Sequence, residues 1–276
     1  MLKKVTNNAV IFFLLIVTPV VLMALFSYVR MNRELNNLIY DRRESIVFLV
    51  AHSLDERFED VIKSGRFIVS GQAFLQMIEQ GRWSNAVGSF KDLLREPYID
   101  RVVLADPSGR FMSDISKFSG MLKQNFTFRS QDEAYISDIY KQAGATQHQV
   151  VDVVLPVRSV SDELLAVVFL QVRLDKFLGW AQEINIGEGG FIYFVDQKGN
   201  VAGHPEFSSQ GEIVNFAGTP AIDRLLGGNK GIGILDPGDG SETMLIAYYP
   251  LAEFGWGAVV AQPTKSAFKS RDGTLM

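Results

Sequence analysis

Residues 193–201 read Tyr193-Phe194-Val195-Asp196-Gln197-Lys198-Gly199-Asn200-Val201, and residues 103–111 read Val103-Leu104-Ala105-Asp106-Pro107-Ser108-Gly109-Arg110-Phe111. Each stretch sets apolar residues before Asp-x-x-Gly and an apolar residue after it, with Asp106 and Asp196 standing 90 positions apart. An Asp side chain accepts hydrogen bonds from its own turn, and glycine supplies the positive φ that the return strand needs. Both stretches are therefore predicted to be β-hairpins, turned by Asp106 and Gly109 in the first and by Asp196 and Gly199 in the second. A further strand pair follows each hairpin. In the first copy it covers residues 150–159 and 164–174, in the second residues 242–251 and 256–263, with Pro156 and Pro250 in like positions. The repeat predicts an α+β fold of two similar modules, each built on an antiparallel sheet.

A chain of 276 residues suits two such domains better than one. Its hydrophobic fraction of 47% and aromatic fraction of 11% supply enough apolar material to fold. The first thirty residues hold Lys3, Lys4 and Arg30 and no acids, which leaves 24 basic and 31 acidic side chains elsewhere, a net charge of −7. So acidic a body repels a phosphate backbone, and no nucleic-acid partner is expected. Cysteine is absent. That excludes disulfides, Cys-zinc sites and thiol catalysis together.

Residues 9–29 read AVIFFLLIVTPVVLMALFSYV, twenty-one residues without a charge. About 20 such residues in a helix cross a hydrocarbon layer of ~30 Å with every backbone group paired internally. Pro19 is tolerated there as a kink. The run is longer than a signal-peptide core and no small-x-small cleavage site follows it, so it is expected to be a retained transmembrane helix rather than a leader or a core helix. Flanking charges do not orient it, since Lys3 and Lys4 precede it while Arg30, Arg33, Arg42 and Arg43 follow it. From residue 30 to 80 proline is absent, and apolar residues recur every three or four positions through Leu35, Leu38, Ile39, Ile46, Leu49, Leu54, Phe58, Val61, Ile62 and Ile68. This spacing predicts one long stalk helix. The pairs Asp55/Glu56 and Glu59/Asp60 belong to its solvated face rather than to a catalytic site. The modules then occupy residues 81–174 and 187–270, joined by a connector helix at 175–186 and followed by a tail at 271–276. Inside the second module, Thr219, Pro220 and Gly227 mark the start and stop of a short helix. Residues 236–240 form a turn cluster without the ligand spacing of a calcium loop.

No catalytic constellation emerges. His52, His148 and His204 lie far from one another in sequence, without a His-Glu-x-x-His pattern, so neither a metal nor a cofactor is expected. Asp-x-x-Gly occurs in GTPases too, but no phosphate-binding loop accompanies it here. Gly227, Gly228, Gly231 and Gly233 stand in the wrong order for a dinucleotide fingerprint. Ser266 and Lys269 have Ser-x-x-Lys spacing with no companion motif. The chain is expected not to be an enzyme.

Several motifs act as a set: residues 191–201 followed by His204-Pro205, the closing Tyr249-Pro250 and Gly255-Trp256, residues 135–140 reading Tyr-Ile-Ser-Asp-Ile-Tyr, and Val154-Leu155-Pro156-Val157. Taken with the anchor and stalk, they make residues 30–270 resemble the double Cache sensor domain, the extracytoplasmic part of bacterial chemoreceptors, histidine kinases and diguanylate cyclases. The resemblance implies two PAS-like modules stacked along the helix, with the distal one holding a small ligand. It also implies an outward-facing ectodomain, a cytoplasmic stretch at residues 1–8, and a homodimer. His204 and Pro205 become structural residues of the second hairpin. Trp83, Trp180 and Trp256 are expected in the core or connector.

Amino-acid-binding members carry Arg-x-Trp-Tyr, a further Tyr and an Asp on the last distal strand. Here Arg129 is followed by Ser130-Gln131-Asp132, Tyr135 comes six positions later, and the Asp position aligns with neutral Gln171. Gln171 cannot make the charge-assisted bond an ammonium group needs. Arg129, Tyr135, Asp138 and Gln171 are thus the candidate pocket residues of the distal module, with amino acids disfavoured as ligands. A carboxylate, a neutral polar metabolite and an empty pocket stay open. The bland alternatives are a surface salt bridge for Arg129, core packing for Tyr135 and turn capping for Asp138. The runner-up for the whole chain is a membrane-tethered structural or interaction module. Double Cache receptors continue into a second membrane helix and an output domain. This sequence shows no second apolar run after Lys269, which leaves open a fragment or an anchored ectodomain that works through another protein.

Overall fold

Helix α1 runs without a break from Leu2 to Val69, with Pro19 inside it. The structure, a computed structural model, describes residues 2–117, 133–142, 147–235, 242–251 and 253–269; the side chains of residues 2–16 and 32 fall outside that description. Among the described residues no helix is long and apolar enough to cross a membrane. The predicted stalk of 30–80 is two helices rather than one. Gly71 takes an extended conformation, its N–H bonds to the Ile68 carbonyl, and α2 (Gln72–Glu79) starts afresh. Glycine holds helical backbone poorly, and the new direction lets Phe74 and Ile78 enter the core. Of the apolar positions expected to form one face, Leu38 is 65% and Leu49 61% exposed, so both lie outside the packed stripe. That stripe runs through Val47, Val50, Ala51, Leu54, Phe58, Val61 and Ile62.

After α3 (Trp83–Gly88), the first hairpin is β1 (Ile99–Ala105) and β2 (Phe111–Ser116). Two short strands, β3 (Tyr135–Ile136) and β4 (Tyr140–Lys141), precede β5 (Gln149–Arg158) and β6 (Leu164–Arg173). They form an antiparallel sheet in the order β2-β1-β6-β5-β3, with β4 also on β5. The connector is two single turns, α4 (Leu174–Phe177) and a 3₁₀ turn (Gly179–Glu183), not one helix. The second sheet contains β7 (Phe191–Val195), β8 (Val201–Ala202), β9 (Gly231–Leu235), β10 (Met244–Leu251) and β11 (Trp256–Pro263), in the order β8-β7-β11-β10-β9. Strand for strand, this is the order of the first sheet.

Helix α5 (Pro220–Leu226) begins at Thr219 as expected, although the Thr219 hydroxyl bonds to the Phe216 carbonyl rather than capping the helix. It stops at Gly227 as expected, the C-cap, and Gly228 turns the chain away with φ +79°. The 236–240 cluster lies outside the described residues. Both prolines sit where a missing N–H is harmless. Pro156 pairs with Val167 on β6, beyond the reach of β3 on the other side; Pro250 pairs with Gly257, beyond the end of β9. The inner faces of both sheets close on α1 in one continuous apolar core. Phe58 stands at its centre, with the rings of Phe177, Trp256 and Phe254 at 4.9, 5.4 and 5.6 Å.

Candidate functional site

The outer face of the distal sheet, away from α1, carries a small apolar cluster of Val103, Ala105, Val154, Val167 and Phe169, with Tyr135 and Phe111 against it. Beside it, one cross-strand row is polar throughout. Ser116 on β2 pairs with Arg101 on β1, Arg101 with Gln171 on β6, and Gln171 with Asp152 on β5. Arg101 is only 5% exposed and its Nε lies 3.5 Å from Asp114. The Tyr140 hydroxyl donates to Asp152 at 2.8 Å and accepts from the Gln171 amide at 2.9 Å. Gln142 donates to the Gln171 carbonyl oxygen at 2.8 Å. Burial, with Asp152 next to it, raises the Tyr140 phenol well above its ordinary pKa, so it stays a hydroxyl donor. A charged pair in a sheet face is costly unless it is matched. Charges at this depth on strands reading IDRVVLA and QVVDVVLPVR are the signal that sequence reading passed over for Arg101 and Asp152.

Of the residues expected in the pocket, Gln171 lies in this row, with its amide held by Tyr140 and Gln142. Tyr135 faces Val154 in the next row, against the apolar cluster. Arg129 lies outside the described residues. Asp138 serves elsewhere. Its carboxylate meets Lys198 Nζ at 2.7 Å, in the turn of the second hairpin. The neighbouring Ile139 N–H donates to Asp196 at 2.8 Å, so the β3–β4 segment clamps the two modules together. In the first hairpin Asp106 accepts from the Ser108 and Arg110 N–H groups, and Gly109 has φ +84°. In the second, Asp196 accepts from Lys198 and Asn200, and Gly199 has φ +82°. His204 stacks on Phe207 at 4.2 Å, and Pro205 follows it at the surface.

The equivalent face of the second sheet is filled. Tyr193, Val195, Ile246, Tyr248 and Val259 pack with Ile222 and Leu225 of α5 and with Phe191, Phe207 and Phe216. The row that matches Arg101–Gln171–Asp152 reads Phe191–Ala261–Ile246 there. Among the described residues, no group of acidic and histidine side chains could hold a metal ion.

A family model for the Cache domain matches residues 31–271. The chain belongs to the Cache domain family. Domains of this double type are extracytoplasmic input modules of membrane receptors that bind ligands and do not catalyse, so this Cache chain is not an enzyme. Among curated proteins none matches it. Solved structures share its fold at low identity. The periplasmic sensory domain of the Campylobacter jejuni chemoreceptor Tlp1 is 13% identical with a TM-score of 0.62, covering 85% of this chain and 98% of that one. The ligand-binding domain of the Pseudomonas fluorescens chemoreceptor CtaA, in complex with L-alanine, is 14% identical with a TM-score of 0.58, covering 81% and 96%. The ligand-binding domain of Mlp24 with asparagine is 14% identical with a TM-score of 0.56, covering 87% and 98%. Two of these relatives hold amino acids, so the expectation that amino acids are disfavoured gains no support from the fold.

Proposed function

We propose that this Cache chain is the input half of a membrane-bound bacterial signalling receptor, anchored by residues 9–29 and sensing a small polar solute outside the cell with its distal module. The contrast between the two copies of one row carries this reading. Duplication put the same backbone in both modules, yet one row holds Arg101, Gln171 and Asp152 while the other holds Phe191, Ala261 and Ile246. A guanidinium and a carboxylate on one row offer opposite charges to a solute, which suits a zwitterion as well as a carboxylate. Tyr135 borders the row, and Arg129 belongs to the segment that follows β2. Along α1, Leu22, Met23, Leu25 and Phe26 are all more than half exposed, as lipid-facing side chains would be. Pairing of two copies through their long helices completes the receptor unit. Solute binding that favours one helix arrangement moves the signal inward by differential affinity.

The test is thermal unfolding of the full chain in detergent against amino acids, carboxylates, amines, purines and sugars. A solute at 100 times its Kd adds ~2.7 kcal/mol of stability, and at ~2–4 °C per kcal/mol for a chain of this size the midpoint rises by ~5–10 °C. That shift should vanish in Asp152→Asn and Tyr135→Ala. A flat response across all classes would instead favour a tethered structural module with no small ligand.

A further inference from the structure

A pocket opens where the two modules meet, with a volume of about 260 Å³. Both modules supply its walls: Gln149 at the start of β5, Leu174 and Leu178 after β6, Gln182 in the connector, and His204 and Phe207 beyond β8. Two largely buried residues there turn polar side-chain atoms to the pocket with no protein partner among the described residues. Gln149 is 4% exposed and its backbone N–H bonds to the Ser209 carbonyl at 3.0 Å, yet its side-chain amide makes no hydrogen bond. His204 is 9% exposed, and its Nδ1 accepts from the Glu206 N–H at 3.2 Å. In the neutral ring this places the proton on Nε2, which donates to nothing. Both groups are open to the pocket and meet solvent there, so a guest that reproduces those hydrogen bonds can take the place of water.

The charge in this pocket is already balanced. Arg173 grips the Asp175 carboxylate through both oxygens, at 2.7 and 2.9 Å. Burial lowers the His204 pKa and keeps the ring neutral. The Gln182 amide is taken by the Gly203 and Ile192 carbonyls. Leu174, Leu178, Pro205 and Phe207 make the apolar part of the wall, with Ser209 beside them.

We propose that this inter-module pocket is a second binding site, for a small uncharged molecule with a planar edge bearing both a hydrogen-bond donor and an acceptor, such as a primary amide or a pyrimidine base. The Gln149 amide matches the donor–acceptor edge and His204 Nε2–H takes a further acceptor. A guest here touches both modules at once, so its binding favours the closed junction and biases the same clamp that Asp138 and Ile139 make with the second hairpin. The site does not depend on what the distal face binds.

Nicotinamide and uracil are the probes, titrated against the full chain in detergent by ligand-observed saturation-transfer NMR. At least one should bind the wild type and bind ~10-fold more weakly to Gln149→Leu, the loss of about one good hydrogen-bonded edge. Because Gln149→Leu alters a buried position, Gly179→Leu is the second variant. A Cβ at Gly179 meets no atom within 4 Å, so the new side chain fills the pocket mouth without strain and should abolish binding. Tyr140→Phe, on the distal face, should leave probe affinity unchanged. Failure of both probes to bind the wild type would overturn the proposal. So would binding that survives Gly179→Leu, or binding lost in Tyr140→Phe, which would assign the probe to the distal face instead.

Discussion

Asp106 and Asp196 occupy the same place in the repeat, and their side chains do different amounts of structural work. Asp106 holds only its own turn. The Ser108 hydroxyl, aided by the Ser108 and Arg110 N–H groups, keeps its carboxyl below the usual range. Asp196 is fully buried and accepts four bonds: from Lys198 N–H and Asn200 N–H on one oxygen, and from the Asn200 side chain and Ile139 N–H on the other. Removing an acceptor strands each buried donor at ~1–3 kcal/mol. Asp196→Ala should therefore cost about 3–4 kcal/mol in urea unfolding and Asp106→Ala about 1 kcal/mol. Equal losses would show that the bond to Ile139 carries no weight. Both turns were legible in sequence because Asp-x-x-Gly is local chemistry. The fourth bond was not, since Ile139 lies 57 positions from Asp196.

At the scale of elements, α1 must approach the distal sheet closely, and Gly65 is where it does so. A Cβ there would lie 2.3 Å from Leu155 Cδ1 and 3.0 Å from Leu170 Cδ1. Gly65→Val should destabilise the chain by about 1–3 kcal/mol through overpacking, read as a lowered thermal midpoint. Gly88→Ala, whose Cβ meets open space, should stay within about 0.5 kcal/mol of the parent. Unchanged stability in Gly65→Val would mean that the helix and sheet separate freely. Apolar spacing predicted the helix but not its end. A period of three to four continues across Ser70 and Gly71 into Phe74 and Ile78, and only packing shows that the second group turns into a different part of the core.

Across the whole molecule, a single helix ties two duplicated sheets into one core, with Phe58 at the junction. Phe58→Ala should cost about 3–5 kcal/mol, as for a large buried ring. It should also split calorimetric unfolding from one transition into two, because the modules lose their main apolar link. A single transition retained in Phe58→Ala would place the coupling in the polar clamp of Asp138, Lys198 and Asp196 instead.

The hairpins, the strand pairs, their duplication and the Cache resemblance follow from the amino-acid sequence alone, because turn chemistry and the two- and three-to-four-residue periods act between near neighbours in the chain. Strand pairing decided the rest. Arg101, Gln171, Asp152 and Tyr140 come from four strands, and only their register sets them on one face. Asp138, a pocket candidate by position, became a clamp because the second hairpin packs beside it. The cavity at Gln149 and His204 exists only where the two modules meet, and contacts made across such distances are written in packing rather than in any local pattern.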